Sequence, residues 1–120
     1  RVVALTDSIA SIPAYANDVS YDQVFTEQMK NLLDPDDVVI AISASGNSPN
    51  IVAGVDYARK HGAFVIGLSG FSGGKLKELA DLNINIPAET YEQIEDVHLT
   101  ITHLIVTHFK ALHKTDSSNT

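Results

Sequence analysis

The stretch Ile42-Ser43-Ala44-Ser45-Gly46-Asn47-Ser48-Pro49-Asn50 has the residue types of an anion cradle. It follows an apolar, β-branched run and opens a helical pattern, so it sits where a buried strand hands over to a helix. In a parallel sheet, ligands collect at the carboxyl ends of the strands. The helix that follows aims backbone N–H groups and about half a unit of positive charge at the same point. Hydroxyls at Ser43, Ser45 and Ser48 add donors, and Gly46 lets the backbone come close to a ligand. A sugar phosphate suits this arrangement. The same residues also suit a plain strand-to-helix turn, with Ser48 as N-cap and Pro49 at the first helical position. A Walker-type nucleotide loop is excluded, because aligning its lysine with Lys75 puts Ser69 at its first glycine and Leu76 at its Ser/Thr. The dinucleotide GxGxxG is also absent, so no nucleotide is expected.

The histidines are the second group with chemical capacity. His98, His103, His108 and His113 recur every five residues in a helical stretch. Five residues turn a helix by about 140° net, so the four rings scatter around the axis and only pairs can act together. Glu95 and His103 lie about 80° apart in projection and two turns apart along the axis, so both can border one site. His98 reads as a satisfied core histidine, and His108 and His113 as helix-face residues. Arg59, Lys60 and His61 close a helix where cations complement its dipole.

Four apolar runs must position these groups: Val2 to Thr6, Val38 to Ser43, Phe64 to Ser69 and Leu82 to Ile86. Each predicts a strand. Their nearly continuous apolar character, with helical patterns between them, predicts a parallel sheet in an α/β doubly wound (flavodoxin-like) fold. Tyr21, Val24, Phe25, Met29, Leu32 and Leu33 recur at spacings of three and four, predicting a helix over 21–33 that the Asp34 to Asp37 loop ends. Ser8 to Asn17 is helical only in parts, since Pro13 breaks a helix interior. A helix from Pro49 stops at Gly62, and a glycine turn over Gly70 to Gly74 leads into a short helix ending near Leu79. From Tyr91 to about His113, apolar residues spread around most of a helix, which predicts burial in a homo-oligomer interface. Residues 115–120 read as a disordered polar tail.

The 120 residues, 44% of them hydrophobic, predict one core. A net charge of -7 argues against binding to nucleic acid or an anionic membrane, both of which require a basic face. With no cysteine there is neither a disulfide nor a thiolate nucleophile, which suits a cytoplasmic protein. The longest apolar runs fall far short of the roughly 20 residues of a membrane helix. The chain opens on Arg1 rather than Met, so residues are expected upstream of it.

The run from Ile40 to Asn50, then Gly62-Ala63-Phe64-Val65-Ile66-Gly67-Leu68-Ser69-Gly70, then Gly73-Gly74-Lys75-Leu76, resembles the sugar-isomerase (SIS) domain of the phosphoheptose isomerase family. Ala16-Asn17-Asp18 upstream and Glu95-Asp96-Val97-His98 leading to His103 resemble the same family, so the likeness spans nearly all of residues 2–110. It implies a tetrameric enzyme of heptose metabolism that converts sedoheptulose 7-phosphate to a heptose 7-phosphate aldose through an enediol. By position, Ser43, Ser45 and Ser48 would hold the phosphate, with Asn17, Asp18 and Glu95 near the substrate. His103 would be the catalytic histidine. In zinc-bearing members that histidine is also a metal ligand, which makes Glu95 and His103 the candidate zinc ligands here. Imidazole, with an ordinary pKa of about 6.5, is apt for proton transfer. The chain departs from the family in two ways: Glu95 stands where Gln is usual, and the family's Gly-Asn-Gly-Gly-Ser loop and catalytic Glu come from a strand and helix preceding Val2. Residues 1–114 are thus expected to be a partial SIS domain lacking its N-terminal helices and first strand. Some SIS proteins of similar sequence act instead as sugar-phosphate sensors or replication-initiation adaptors.

Overall fold

The computed structural model describes residues 2–117, the side chains to His113. Its elements run in the order α1 (Ser11–Asp18), a 3-10 turn (Tyr21–Gln23), α2 (Val24–Met29), β1 (Val38–Ser43), α3 (Pro49–Lys60), β2 (Phe64–Gly70), α4 (Gly74–Leu79), β3 (Leu82–Ile86) and α5 (Tyr91–Ser117). The three strands form one parallel sheet in the order β1-β2-β3. Each strand follows the last through a helix, as the alternation of buried runs with helical patterns predicts.

Val39, Ala41 and Val65 point to the sheet face that α3 and α4 cover, and with Met29, Val55, Ala58, Ala63 and Leu76 they form the core. Pro49 starts α3 without loss, since its missing N–H would have had no helical partner. Gly62, at φ +83, lets the chain leave α3 and enter β2. Among the described residues, the opposite sheet face is covered only by the first turns of α5, where Ile94 is fully buried. Val38, Ile40, Ile42, Phe64 and Leu82 remain exposed on it.

Several expectations change. Val2 to Thr6 forms no strand, and Val2 is 96% exposed. A strand needs a hydrogen-bonding neighbour, and in the flavodoxin-like order 2-1-3-4-5 the second strand pairs only with the first, which no described residue supplies. Pro13 does not break α1, because it is the third residue of that helix, where an N–H has no partner to lose. The helix expected over 21–33 divides into the 3-10 turn, α2 and a turn through Leu32. Burial in β1 alternates rather than running continuously, since one of its faces lacks a covering layer. The helix α5 extends to Ser117, into the stretch expected to be a polar tail, which carries no Gly or Pro to stop it. Residues 118–120 lie outside the described residues.

Candidate functional site

The serine turn lies at the carboxyl end of β1, and two of its hydroxyls converge. Ser43 Oγ and Ser48 Oγ stand 3.0 Å apart across the mouth of the turn, Ser43 buried and Ser48 half-buried. Ser48 is the N-cap residue of α3, but its side chain makes no capping bond. The plain-cap reading is therefore not what forms: the Ser48 hydroxyl is directed towards Ser43 instead. Ser45 Oγ accepts from the Asn47 N–H at 3.2 Å, folding the turn on itself.

The turn is fixed from outside as well. Asn47 donates its amide to the Ser45 carbonyl at 3.1 Å and accepts the Lys75 N–H at 3.1 Å, which joins the turn to α4. The Leu76 N–H donates to the Gly46 carbonyl at 2.9 Å, and the Gly70 N–H to the Ala44 carbonyl at 2.8 Å. Gly46 has φ +66, and a Cβ there would overlap the Gly73 carbonyl oxygen. Two glycine turns thus interlock, one before α3 and one before α4. Gly46 is also the residue that lets this turn pack against the Gly73 loop.

In register with Ser43 across the sheet stand Ser69 on β2 and Asn85 on β3, a polar row at the carboxyl rim. Ser69 is fully buried and donates to Asn85 Oδ1 at 2.9 Å, while Asn83 Nδ2 donates to Ser69 Oγ at 2.9 Å. Asn85 in turn donates to the Phe71 carbonyl at 3.1 Å. This network was missed in the sequence, although Leu82-Asn83-Ile84-Asn85-Ile86 alternates polar and apolar residues and so marks two asparagines for one face.

The remaining candidates lie farther out. Asn17 and Asp18 are exposed on the last turn of α1, joined by a 3.0 Å bond from Asn17 Nδ2 to Asp18 Oδ1. That helix packs on α2 and the 3-10 turn. Glu95 and His103 are both exposed on α5. Among the described residues, no hydrogen bond or ion pair joins these four to the serine turn. No group of three or more His, Cys, Asp or Glu could hold a metal ion among the described residues. Nor is any described helix long and apolar enough to cross a membrane.

Hydroxyls beside the N-terminal end of a helix at a strand's carboxyl edge are chemically suited to a small tetrahedral anion. A family model described as the SIS domain matches residues 4–112. A probable phosphoheptose isomerase of Thermoplasma acidophilum is 44% identical over 103 residues, covering 86% of this chain and 57% of that protein. The phosphoheptose isomerase of Rhodospirillum rubrum is 39% identical over 103 residues, covering 86% and 55%. Among solved structures, a phosphoheptose isomerase from Neisseria gonorrhoeae superposes with a TM-score of 0.88 at 32% identity, covering 91% of this chain and 61% of that one. One from Francisella tularensis gives 0.82 at 33% identity, covering 85% and 55%. The chain spans about half the length of the curated relatives it matches.

Proposed function

Given that the chain belongs to the SIS domain family, we propose that the protein carrying it is a phosphosugar isomerase that converts sedoheptulose 7-phosphate to a heptose 7-phosphate aldose. The observation that carries this reading is the paired Ser43 and Ser48 hydroxyls at 3.0 Å, on a turn locked by Asn47 and by the Gly46–Gly73 contact. Such a turn is preorganised for an anion and needs no rearrangement to bind one. The names of its relatives supply the sugar.

In the proposed reaction a proton leaves C1 of the ketose, an enediol forms, and a proton is returned to C2 as the carbonyl moves from C2 to C1. No atom is gained or lost. Ser43, Ser45 and Ser48 hold the phosphate, so that the distant carbonyl is presented in one orientation. Asn17 and Asp18 bind along the sugar, and Glu95 borders it. His103 carries the proton between carbon or oxygen atoms of the substrate. Glu95 and His103 are also the two donors that this chain offers a zinc ion. They stand eight positions apart, about 12 Å along the helix axis, so a metal between them would meet only the tips of their side chains. The described residues do not complete a four-ligand site, and no step here depends on a metal.

We assign the full protein to the cytoplasm, to heptose synthesis for lipopolysaccharide and to a homotetramer. The tetramer rests on the outer turns of α5, where Leu104 is 63% and Phe109 57% exposed. The test is proton NMR of sedoheptulose 7-phosphate in heavy water with the full native protein. Aldose carrying deuterium at the isomerising carbon is expected. Binding without exchange would contradict the isomerase and favour a sensor or adaptor.

A further inference from the structure

His98 is 4% exposed, and its Nε2 lies 3.1 Å from the Ser69 carbonyl oxygen. A carbonyl only accepts, so Nε2 carries the proton and donates. That bond completes a series of contacts between α5 and the exit of β2. The Tyr91 ring meets the Phe71 ring edge-on at 5.1 Å, the Ile94 side chain fills the space where Gly70 has no Cβ, and His98 reaches Ser69. Positions 91, 94 and 98 share one helix face, and their partners are three consecutive residues. Ser69 is itself immobilised, since its hydroxyl is held by Asn83 and Asn85. Phe71, with φ +49, is held in the left-handed region by the Asn85 bond to its carbonyl. Beyond His98, the apolar residues Leu99, Leu104, Val106 and Phe109 are mostly exposed.

We propose that His98 is a positioning residue: its bond to Ser69 sets the rotation of α5 and so the direction in which Glu95 and His103 project from it. This rests on the isomerase reading above. Glu95 and His103 lie about 60° and 140° around the helix from His98, on one side of it. A side-chain atom about 6 Å from the helix axis moves about 2 Å when the helix turns by 20°. The serine turn, by contrast, is held mainly by β1, α3 and α4, with one bond from β2, the Gly70 N–H to the Ala44 carbonyl, and none of its own bonds is made by a residue of α5. Losing the tether therefore harms proton transfer and leaves phosphate binding in place.

The experiment is steady-state kinetics and amide hydrogen exchange on the full native protein with His98→Leu and His98→Gln, the glutamine amide reaching close to the place of Nε2–H. For His98→Leu, kcat is expected to fall about 10- to 100-fold, with KM for sedoheptulose 7-phosphate held within about two-fold. Amides over 95–103 should exchange faster while those over 44–52 keep their protection. His98→Gln should recover most of both. A His98→Leu protein with native kcat and native exchange would overturn the proposal, as would a raised KM at native kcat. If the native protein turns over no sugar, the isomerase reading fails, and the exchange pattern still decides the tether. Should His98→Leu not fold, 15N NMR of the native protein decides it. A slowly exchanging Nε2–H on His98 is expected, and an Nδ1–H tautomer would contradict it.

Discussion

Ser43 and Ser48 face each other at hydrogen-bond distance, and the buried member of the pair comes from the strand while the other comes from the helix start. Both hydroxyls can turn to a ligand without moving the backbone. A hydrogen bond to a charged group contributes about 1.5–3 kcal/mol. Replacing Ser45 and Ser48 together by Ala should therefore weaken sugar-phosphate binding on the order of 100-fold or more by calorimetry, with an unchanged melting temperature. Unchanged affinity would remove the serine turn from the site. His103→Ala belongs to the other half of the reaction: kcat should drop about 10²- to 10⁴-fold while the substrate Kd holds. Native turnover would make His103 an ordinary surface residue. These serines were legible because hydroxyls, glycine and proline crowd into one strand-to-helix junction. His98 was read as a core histidine, and its burial agrees. Its partner was not legible, because a carbonyl reached by a residue 29 positions away leaves no mark on side-chain types.

Two short turns carry the geometry at the scale of elements; the sequence places each before its helix, but not their contact with one another. Gly46 and Gly74 both have positive φ, and each stands where the other's loop leaves no room for a side chain. Gly46→Ala combines a left-handed backbone with an overlap on the Gly73 carbonyl. It should destabilise the protein by about 2 kcal/mol or more in denaturant titration, and should lower phosphate affinity even where the fold persists. A neutral result would mean the two loops are free to part. The order of strands and helices was legible from β-branched runs separated by 3.6-residue patterns. Val2 to Thr6 carries the same signal and forms no strand, because pairing depends on a neighbour rather than on the segment's own residues.

Across the whole molecule, the two sheet faces differ. One is closed by α3 and α4 over the core, and the other leaves Val38, Ile40, Ile42, Phe64 and Leu82 open beside a 27-residue helix that continues past the sheet. Its outer half, with Leu104, Val106 and Phe109 exposed, is the surface assigned to the proposed homotetramer. Leu104→Glu with Phe109→Glu should reduce the sedimenting mass of the full native protein while its circular dichroism is retained; an unchanged mass would place the interface elsewhere. The catalytic claim is tested most directly by placing sedoheptulose 7-phosphate with that protein in heavy water and following the sugar protons by NMR. An aldose heptose 7-phosphate bearing solvent deuterium at the isomerising carbon is expected. A bound but unexchanged ketose would contradict it.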